Sequence, residues 1–230
     1  MRILHVADLH QHRGWFAWVK QQAPQYDAVV IAGDLLNIFD RFQLKLPEQI
    51  KWTMEWLREF PVPLFVCSGN HDFFARSMGN ERFSEAVWLR RCARPNLWVD
   101  GQTAELGGLR WAVLSWGWRE WPEGADVVVV HAPPTNTAIA VEGRRDVGDP
   151  EVYAGIVEHG PRLVLSGHVH EAPHCHARIG STDCFNPGCD FTSEVPAHVV
   201  IDTISGTAIC QAATEDAPRT ILLAQGLSRM

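Results

Sequence analysis

The sequence predicts an α/β protein, and three observations carry the prediction. Short apolar runs, each bounded by turn residues, recur at Arg2–Ala7, Ala28–Ala32, Val62–Cys67, Val127–Val130 and Leu163–Leu165. Continuous runs of this length suit strands covered on both faces. Apolar residues at helical spacing fill several of the intervals. Each run also ends in polar side chains, as expected where strand ends deliver a site beyond their carboxyl edge.

Taken in order, Arg2–Ala7 reads as the first strand. Trp15, Trp18, Val19 and Gln22 then follow at helical spacing, with Pro24 closing the helix. Ala28–Ala32 is the second strand. Pro47 to Phe60 reads as a helix with proline in its first turn and Ile50, Met54 and Leu57 on one face. Val62–Cys67 is the third strand, and Phe83, Ala86, Val87 and Arg90 predict a further helix. "TAELGGLRWAVLSW" predicts a hairpin turning at Gly107-Gly108. A helix from about Pro150 to Glu158 separates the Val127 and Leu163 strands, and "AHVVIDTISGTAIC" predicts a hairpin around Ser205-Gly206. The pattern gives a mixed central sheet, or two sheets packed face to face. Residues 1–214 are read as one domain and 215–230 as a loose terminus.

Composition narrows the function. At 230 residues the chain can bury a full core without disulfides. A net charge of -7 argues against a surface that attracts nucleic acid or anionic membranes. No apolar stretch is long enough to span a bilayer. The six cysteines form no CxxC pair, and the opening "MRILHVADLH" reads as a strand rather than a signal peptide. The expectation is a cytoplasmic protein with reduced thiols.

The polar strand ends define the chemistry. They carry Asp8 and His10, Asp34, Asn70 with His71 and Asp72, His131, and His168 with His170. Turn chemistry accounts for Asp34 and Asn70 as well as function does. It does not account for four histidines. Carboxylate, imidazole and amide oxygen together suit Mn²⁺, Fe, Zn²⁺ or Ni²⁺. Asp8/His10 and His168/His170 stand two apart, so in extended chain each pair points one way. Seven ligand-type residues exceed one tetrahedral site and suit two ions about 3.5–4 Å apart, as used for displacement at phosphorus. Two such ions would outweigh Asp8 and Asp34, making a locally positive site for an anionic substrate. They would also activate a bridging hydroxide as nucleophile.

The order Asp8-x-His10, Gly33-Asp34, Gly69-Asn70-His71-Asp72, His131, Gly167-His168-x-His170 resembles the calcineurin-like metallophosphoesterases, over Arg2 to about Gly188. The resemblance implies a two-sheet β-sandwich flanked by helices. It implies one metal on Asp8, His10, Asp34 and His170, and a second on Asp34, Asn70, His131 and His168, with Asp34 bridging. His71 would contact the phosphate and protonate the leaving oxygen. One departure is Asn37, which stands where the family often has an aspartate orienting that histidine; Asp40 and Asp72 are the alternatives. "HAPP", "GHVHE" and "GSTDCFNPG" resemble a branch of small phosphodiesterases acting on cyclic nucleotides.

The expected function is hydrolysis of a small phosphodiester or phosphomonoester. A nuclease of the same superfamily is the alternative, disfavoured by the charge and by the lack of room for a cap. A non-catalytic scaffold is a second alternative, disfavoured because every ligand position is filled. Other residues carry plainer expectations. His12 and Arg13, and Arg144-Arg145, read as solvated loops; His174–His176 with Cys184 and Cys189 match no familiar zinc spacing. Trp111, Trp116, Trp118 and Trp121 read as packing residues, with a stacking rim as the alternative. His5 and His198 read as core or edge residues. The sequence leaves substrate, native metals and oligomeric state open.

Overall fold

The computed structural model describes residues 1–38, 45–72, 74–78, 81–117, 120–215 and 217–224, and for 74–78 and 81–85 the backbone alone. Asp40 and Trp118 lie outside the described residues. Strand β1 (Arg2–Val6) leads into helix α1 (Arg13–Gln22), capped by His12, whose Nδ1 accepts the Trp15 N–H. A short 3₁₀ turn containing Pro24 closes that helix. Strand β2 (Ala28–Ala32), helix α2 (Leu46–Arg58) and strand β3 (Leu64–Cys67) follow. A ribbon of β4 (Phe74–Met78) and β5 (Glu81–Glu85) precedes the short α3 (Val87–Arg90). Next come β6 (Leu97–Val99), β7 (Thr103–Leu106), β8 (Leu109–Val113) and β9 (Val127–Val129). A second ribbon, β10 (Val141–Glu142) and β11 (Arg145–Asp146), leads to α4 (Pro150–His159). The Asp149 carboxylate caps α4 by accepting the Glu151 and Val152 N–H groups, and Gly160 ends it in the left-handed region at φ 57°. The chain closes with β12 (Leu163–Leu165), β13 (His176–Ile179), β14 (Thr182–Phe185), β15 (His198–Asp202), β16 (Thr207–Gln211) and β17 (Arg219–Leu222).

Two sheets carry the architecture. The first has the order β17-β16-β15-β1-β2-β3-β6 and the second β13-β14-β12-β9-β8-β7. In the first, β1, β2, β3 and β6 run parallel; in the second, β8, β9, β12 and β14 do. Strand alternation sorts the core into layers. Leu4, Val6, Val29 and Ile31 face α1 and α2, against Trp15, Phe16, Trp56 and Leu57. Ile3, Val30, Phe65, Val127 and Leu163 fill the space between the sheets. Val128, Val130 and Val164 face α4 through Val152 and Ile156. Helices, sheet, sheet and helix stack in four layers, the two-sheet arrangement the sequence implied. No helix among the described residues is long and apolar enough to cross a membrane.

Three sequence expectations change. The helix expected around Phe83–Arg90 is a strand up to Glu85 and a single helical turn after it. Within the stretch read as a loose terminus, Arg219–Leu222 pairs antiparallel with β16. The buried face of α2 is Gln49, Thr53, Trp56 and Leu57, while Ile50 and Met54 are half-buried beside it. Gln49 and Thr53 were invisible to an apolar-periodicity reading because they are polar. Their task is to hold loops: Gln49 accepts the Asn37 N–H at 2.8 Å and donates to its carbonyl at 2.9 Å, and Thr53 accepts from Gln11 at 3.0 Å.

Asp72 joins the loops after β2 and β3. Its buried carboxylate accepts the Leu35 and Leu36 N–H groups at 2.9 Å each and the Gly69 N–H at 2.9 Å. Burial and the nearby Asp34 carboxylate push its pKa up, and these N–H groups oppose the shift. Asp72→Asn places an amide NH₂ against a backbone N–H in either orientation. We expect a loss of about 1–3 kcal/mol in denaturant unfolding, whereas a neutral result removes Asp72 as the tie between the loops.

His5 is fully buried and alternates with Ile3 and Ala7 toward the inter-sheet core. Neither ring nitrogen has a full hydrogen bond among the described residues, and the Ser166 backbone gives it only partial support. Burial lowers its pKa from 6.5 to about 3. Between those values the unfolded chain binds a proton that the folded chain refuses, so stability falls as pH drops from 6.5 toward 3. His5→Leu should flatten this dependence. Unfolding midpoints measured from pH 7 to 4 should show the variant gaining on the parent as the medium becomes more acidic; parallel curves would refute the assignment.

Candidate metal centre

Five parallel strands deliver the predicted residues to one edge. β1 ends at Asp8 and His10, β2 at Asp34, β3 at Asn70 and His71, β9 at His131, and β12 at His168 and His170. The two sheets meet there through His131 Nδ1, 2.7 Å from the Ala32 carbonyl, and through the His168 main-chain N–H, which donates to the Asp8 carboxylate at 3.0 Å. All the residues expected to bind metal therefore lie in one cluster. Asp8, His10 and His170 bring ligand atoms within 4.8 Å of one another, as do Asp8, Asp34 and His131, and His10, Asp34 and His71.

The hydrogen bonds fix which ring atoms face inward. His10 Nδ1 lies 3.2 Å from the Leu36 carbonyl and His131 Nδ1 lies 2.7 Å from the Ala32 carbonyl. Each Nδ1 must carry a hydrogen to satisfy its carbonyl, which turns Nε2 toward the cluster as the atom available to a metal. There His10 Nε2 meets His170 Nε2 at 3.2 Å and Asp34 Oδ2 at 3.7 Å. His131 Nε2 meets the Asn70 Oδ1 at 3.0 Å and Asp34 Oδ2 at 3.4 Å. The same Asn70 oxygen lies 2.9 Å from His168 Nδ1, and Asp8 Oδ1 lies 3.5 Å from His170 Nε2. Electron-rich atoms converge from five strand ends, an arrangement that positive charge must hold together. The donor set fits divalent cations of the oxygen-and-nitrogen class.

The ionisation states agree. Burial lowers His10 and His168 to about 4, so both stay neutral at physiological pH. Burial would raise Asp34, but the neighbouring His131 outweighs it and holds the carboxylate ionised. Burial likewise opposes His131, and Asp34 overcomes it, raising the imidazole to about 9. His131 and Asp34 thus hold each other in their charged forms.

Close approach demands glycine at two of the ligand-bearing turns. A Cβ on Gly69 would collide with the Asp34 carboxylate, and one on Gly33 would collide with the His131 ring. Gly33 also sits at φ 86°. Asp8, His10, Asp34 and His168 occupy the left-handed region at φ 54°, 39°, 52° and 72°.

Other expectations resolve by position. Asp72 serves the backbone of two loops rather than His71, and Asn37 is buried and held by Gln49. His71 lies with its ring Nε2 3.9 Å from Asp34 Oδ2, and its main-chain N–H donates to Asp34 Oδ1 at 2.8 Å. His12 caps a helix, correcting the solvated-loop reading, and Arg144 and Arg145 are exposed. The "HCH" stretch makes no metal cluster among the described residues: His176 bonds Asp183 at 2.9 Å, Cys184 packs under α4, and Cys189 donates to the Asp8 carbonyl. Trp111 stacks on Phe65 in the inter-sheet core, while Trp116 lies against His131 and His168. Sequence reading missed Phe191, whose ring lies 5.4 Å from His10 and 5.7 Å from His170. Its one signal was its place shortly after the "NPG" turn.

Comparison with known proteins accords with this geometry. A family model described as calcineurin-like phosphoesterase matches residues 1–172. Curated proteins give no match. Among solved structures, the protein TT1561 of Thermus thermophilus superposes with a TM-score of 0.59 at 15% identity, over 96% of this chain and 98% of that one. Yfce, a phosphoesterase from E. coli, gives a TM-score of 0.52 at 16% identity over 97% and 100%. The phosphopantetheinyl hydrolase of Mycobacterium tuberculosis gives 0.55 at 13% identity over 84% and 90%. These likenesses show a shared fold, and the family match, which spans most of the chain and all eight site residues, shows that it belongs to the calcineurin-like phosphoesterases, a family of metal-dependent phosphoester hydrolases.

Proposed function

We propose that the chain hydrolyses a small phosphate ester at a centre holding two divalent metal ions, drawn from Mn, Fe, Zn or Ni. The first would rest on Asp8, His10, Asp34 and His170, and the second on Asp34, Asn70, His131 and His168. One observation carries the reading: ligand-type nitrogen and oxygen atoms of His10, His131, His170 and Asn70 face one another around Asp34. When bound, the ions supply a water nucleophile active near neutral pH and neutralise charge on the phosphoryl oxygens. The chain's own residues do the rest. Asp34 spans both halves of the cluster. His71, beside Asp34 and stacked edge-on to His10 with ring centroids 4.6 Å apart, is placed to give a proton to the departing oxygen. Burial lowers its pKa, so the negative charge of a bound phosphate ester would be needed to hold the proton there. We place the working domain at residues 1–222, since Arg219–Leu222 joins the first sheet, and the protein in the cytoplasm, a reading supported by six free buried cysteines.

The test is a panel of p-nitrophenyl mono- and diesters, cyclic nucleotides and nucleic acids, each with Mn²⁺, Ni²⁺, Zn²⁺ and Mg²⁺, beside elemental analysis of protein purified without chelators. Two equivalents of metal and turnover of a small ester are expected. Less than one equivalent, unrecovered on adding Mn²⁺, would instead mark a scaffold.

Asp34→Ala should remove both ions together with activity, because one carboxylate serves both halves. His10→Ala should be milder, since three ligands to that ion remain. An Asp34→Ala protein that still holds two equivalents shows that Asp34 is not the bridge.

His71→Asn should leave metal content nearly unchanged. General acid catalysis typically contributes about 10²–10⁴-fold, and the loss should fall mainly on esters whose leaving oxygen needs a proton. Alkyl or cyclic nucleotide esters should therefore lose far more kcat/KM than nitrophenyl esters. Equal losses would assign His71 to phosphate binding alone.

A further inference from the structure

The two strands that flank the metal-bearing strands of the second sheet are also parallel to them, so their carboxyl ends open at the same edge. In the order β14-β12-β9-β8, the central pair brings His168, His170 and His131. The outer pair brings aromatic rings. Beyond β8, Trp116 lies 5.6 Å from the His131 ring and 5.4 Å from the His168 ring, its main-chain N–H tied to Ser68 Oγ at 3.0 Å. Beyond β14, Phe191 lies beside His10 and His170 and is backed by a parallel stack on Trp15 at 5.7 Å.

Each ring walls a separate cleft: His170 itself lines the Phe191 cleft, and the Trp116 cleft opens at Ala132, next in the chain to His131. The Phe191 cleft has a volume of about 710 Å³ and is lined by His170, Glu171, Asp190 and Thr192. The Trp116 cleft has a volume of about 330 Å³ and runs past Ala132 and Val147 to the start of α4. The larger lies in the range of small-molecule sites and the smaller at its lower end. One phosphoryl position between two walled clefts has room for two organic substituents on phosphorus.

Resting on the phosphoesterase reading above, we infer that the substrate is a phosphodiester with two unequal arms, the larger lying against Phe191 and the smaller against Trp116. A monoester would leave one wall without a partner. The carboxylates of Glu171 and Asp190 at the larger cleft exclude a second negative group and suit an arm that is uncharged, hydroxyl-bearing or cationic. A diester carries one negative charge at neutral pH, against up to two for a monoester. In the reaction, a water oxygen adds to phosphorus and the P–O bond to one arm breaks. That arm leaves as an alcohol carrying a proton, and the other remains as a phosphomonoester.

The experiment uses the full chain loaded with Mn²⁺. It compares bis-p-nitrophenyl phosphate with p-nitrophenyl phosphate, and dibenzylphosphinate with benzylphosphonate as uncleaved mimics measured by calorimetry. Trp116→Ala should lower the diester-to-monoester ratio of kcat/KM about tenfold, and the phosphinate-to-phosphonate binding ratio in parallel, by loss of one stacking wall. Phe191→Ala should weaken both diester measures, and Phe191→Leu, which keeps the packing on Trp15, should repeat the effect. A parent enzyme that prefers the monoester and its mimic, or a ratio unmoved by Trp116→Ala, overturns the two-arm inference while the phosphoesterase reading stands. Hydrolysis of neither ester, with the metals bound, overturns that reading instead.

Discussion

Mutual repulsion among electron-rich atoms around Asp34 is the constraint on which the rest of the structure depends. The carboxylate faces nitrogen atoms of His10, His71 and His131 at 3.4–3.9 Å, and its other oxygen accepts the His71 N–H. Nothing in such a cluster attracts unless a cation or a proton stands inside it. Left alone, the turns carrying these groups would relax apart. They are therefore fixed from outside: Asp72 ties the turn after β2 to that after β3, Gln49 holds Asn37, and main-chain carbonyls at Ala32 and Leu36 orient two imidazoles. The hydrogen bonds that satisfy one side of each ring decide what the other side offers.

The turns also hold strain. Non-glycine residues in the left-handed region cost energy, roughly 1–3 kcal/mol in the less tolerant cases, and persist only where the surroundings over-determine them. Aspartate and histidine are among the more tolerant types. Here four ligand-bearing residues share the conformation, at the ends of strands whose every residue past Arg2 is buried. The sheets supply that over-determination. Parallel pairing fixes the height of each strand end, and packing on both faces prevents a strand from sliding to ease its turn.

These two layers of the design were legible to different degrees. The strands showed as apolar runs because burial on both faces leaves little choice of residue, and Ala28–Ala32 and Leu163–Leu165 match the observed strands end to end. The ligands showed because four histidines at strand ends have no turn-forming explanation. The supports did not show. Gln49 and Thr53 break the apolar stripe of α2, and Asp72 reads as a turn residue beside its more conspicuous neighbours. Their roles depend on partners from other elements, here Asn37, Gln11 and the Leu35–Leu36 backbone, which no local pattern reveals. The helix expected at Phe83–Arg90 failed for a related reason: four apolar or long side chains at helical spacing cannot exclude a strand pairing that is specified by β4. Arg219–Leu222 was taken for a loose end because its strand is short, and only β16 beside it makes the pairing visible.

Charge completes the physical account. The chain carries -7 overall, yet the two divalent ions proposed above would, against Asp8 and Asp34, leave a local excess of about two positive charges at the strand ends. At physiological ionic strength that field fades within about 8 Å. A long polyanion laid across the molecule would meet mostly repulsive surface beyond that distance. A small ester bound as proposed would meet only the ions, His71 and the two clefts. Recognition must then come from contact rather than from long-range attraction, and contact is what the walls beyond β8 and β14 provide. The same sheet that sets His131, His168 and His170 in register sets Trp116 and Phe191 beyond the strands to either side, so one set of backbone hydrogen bonds positions both the candidate ligands and the aromatic walls.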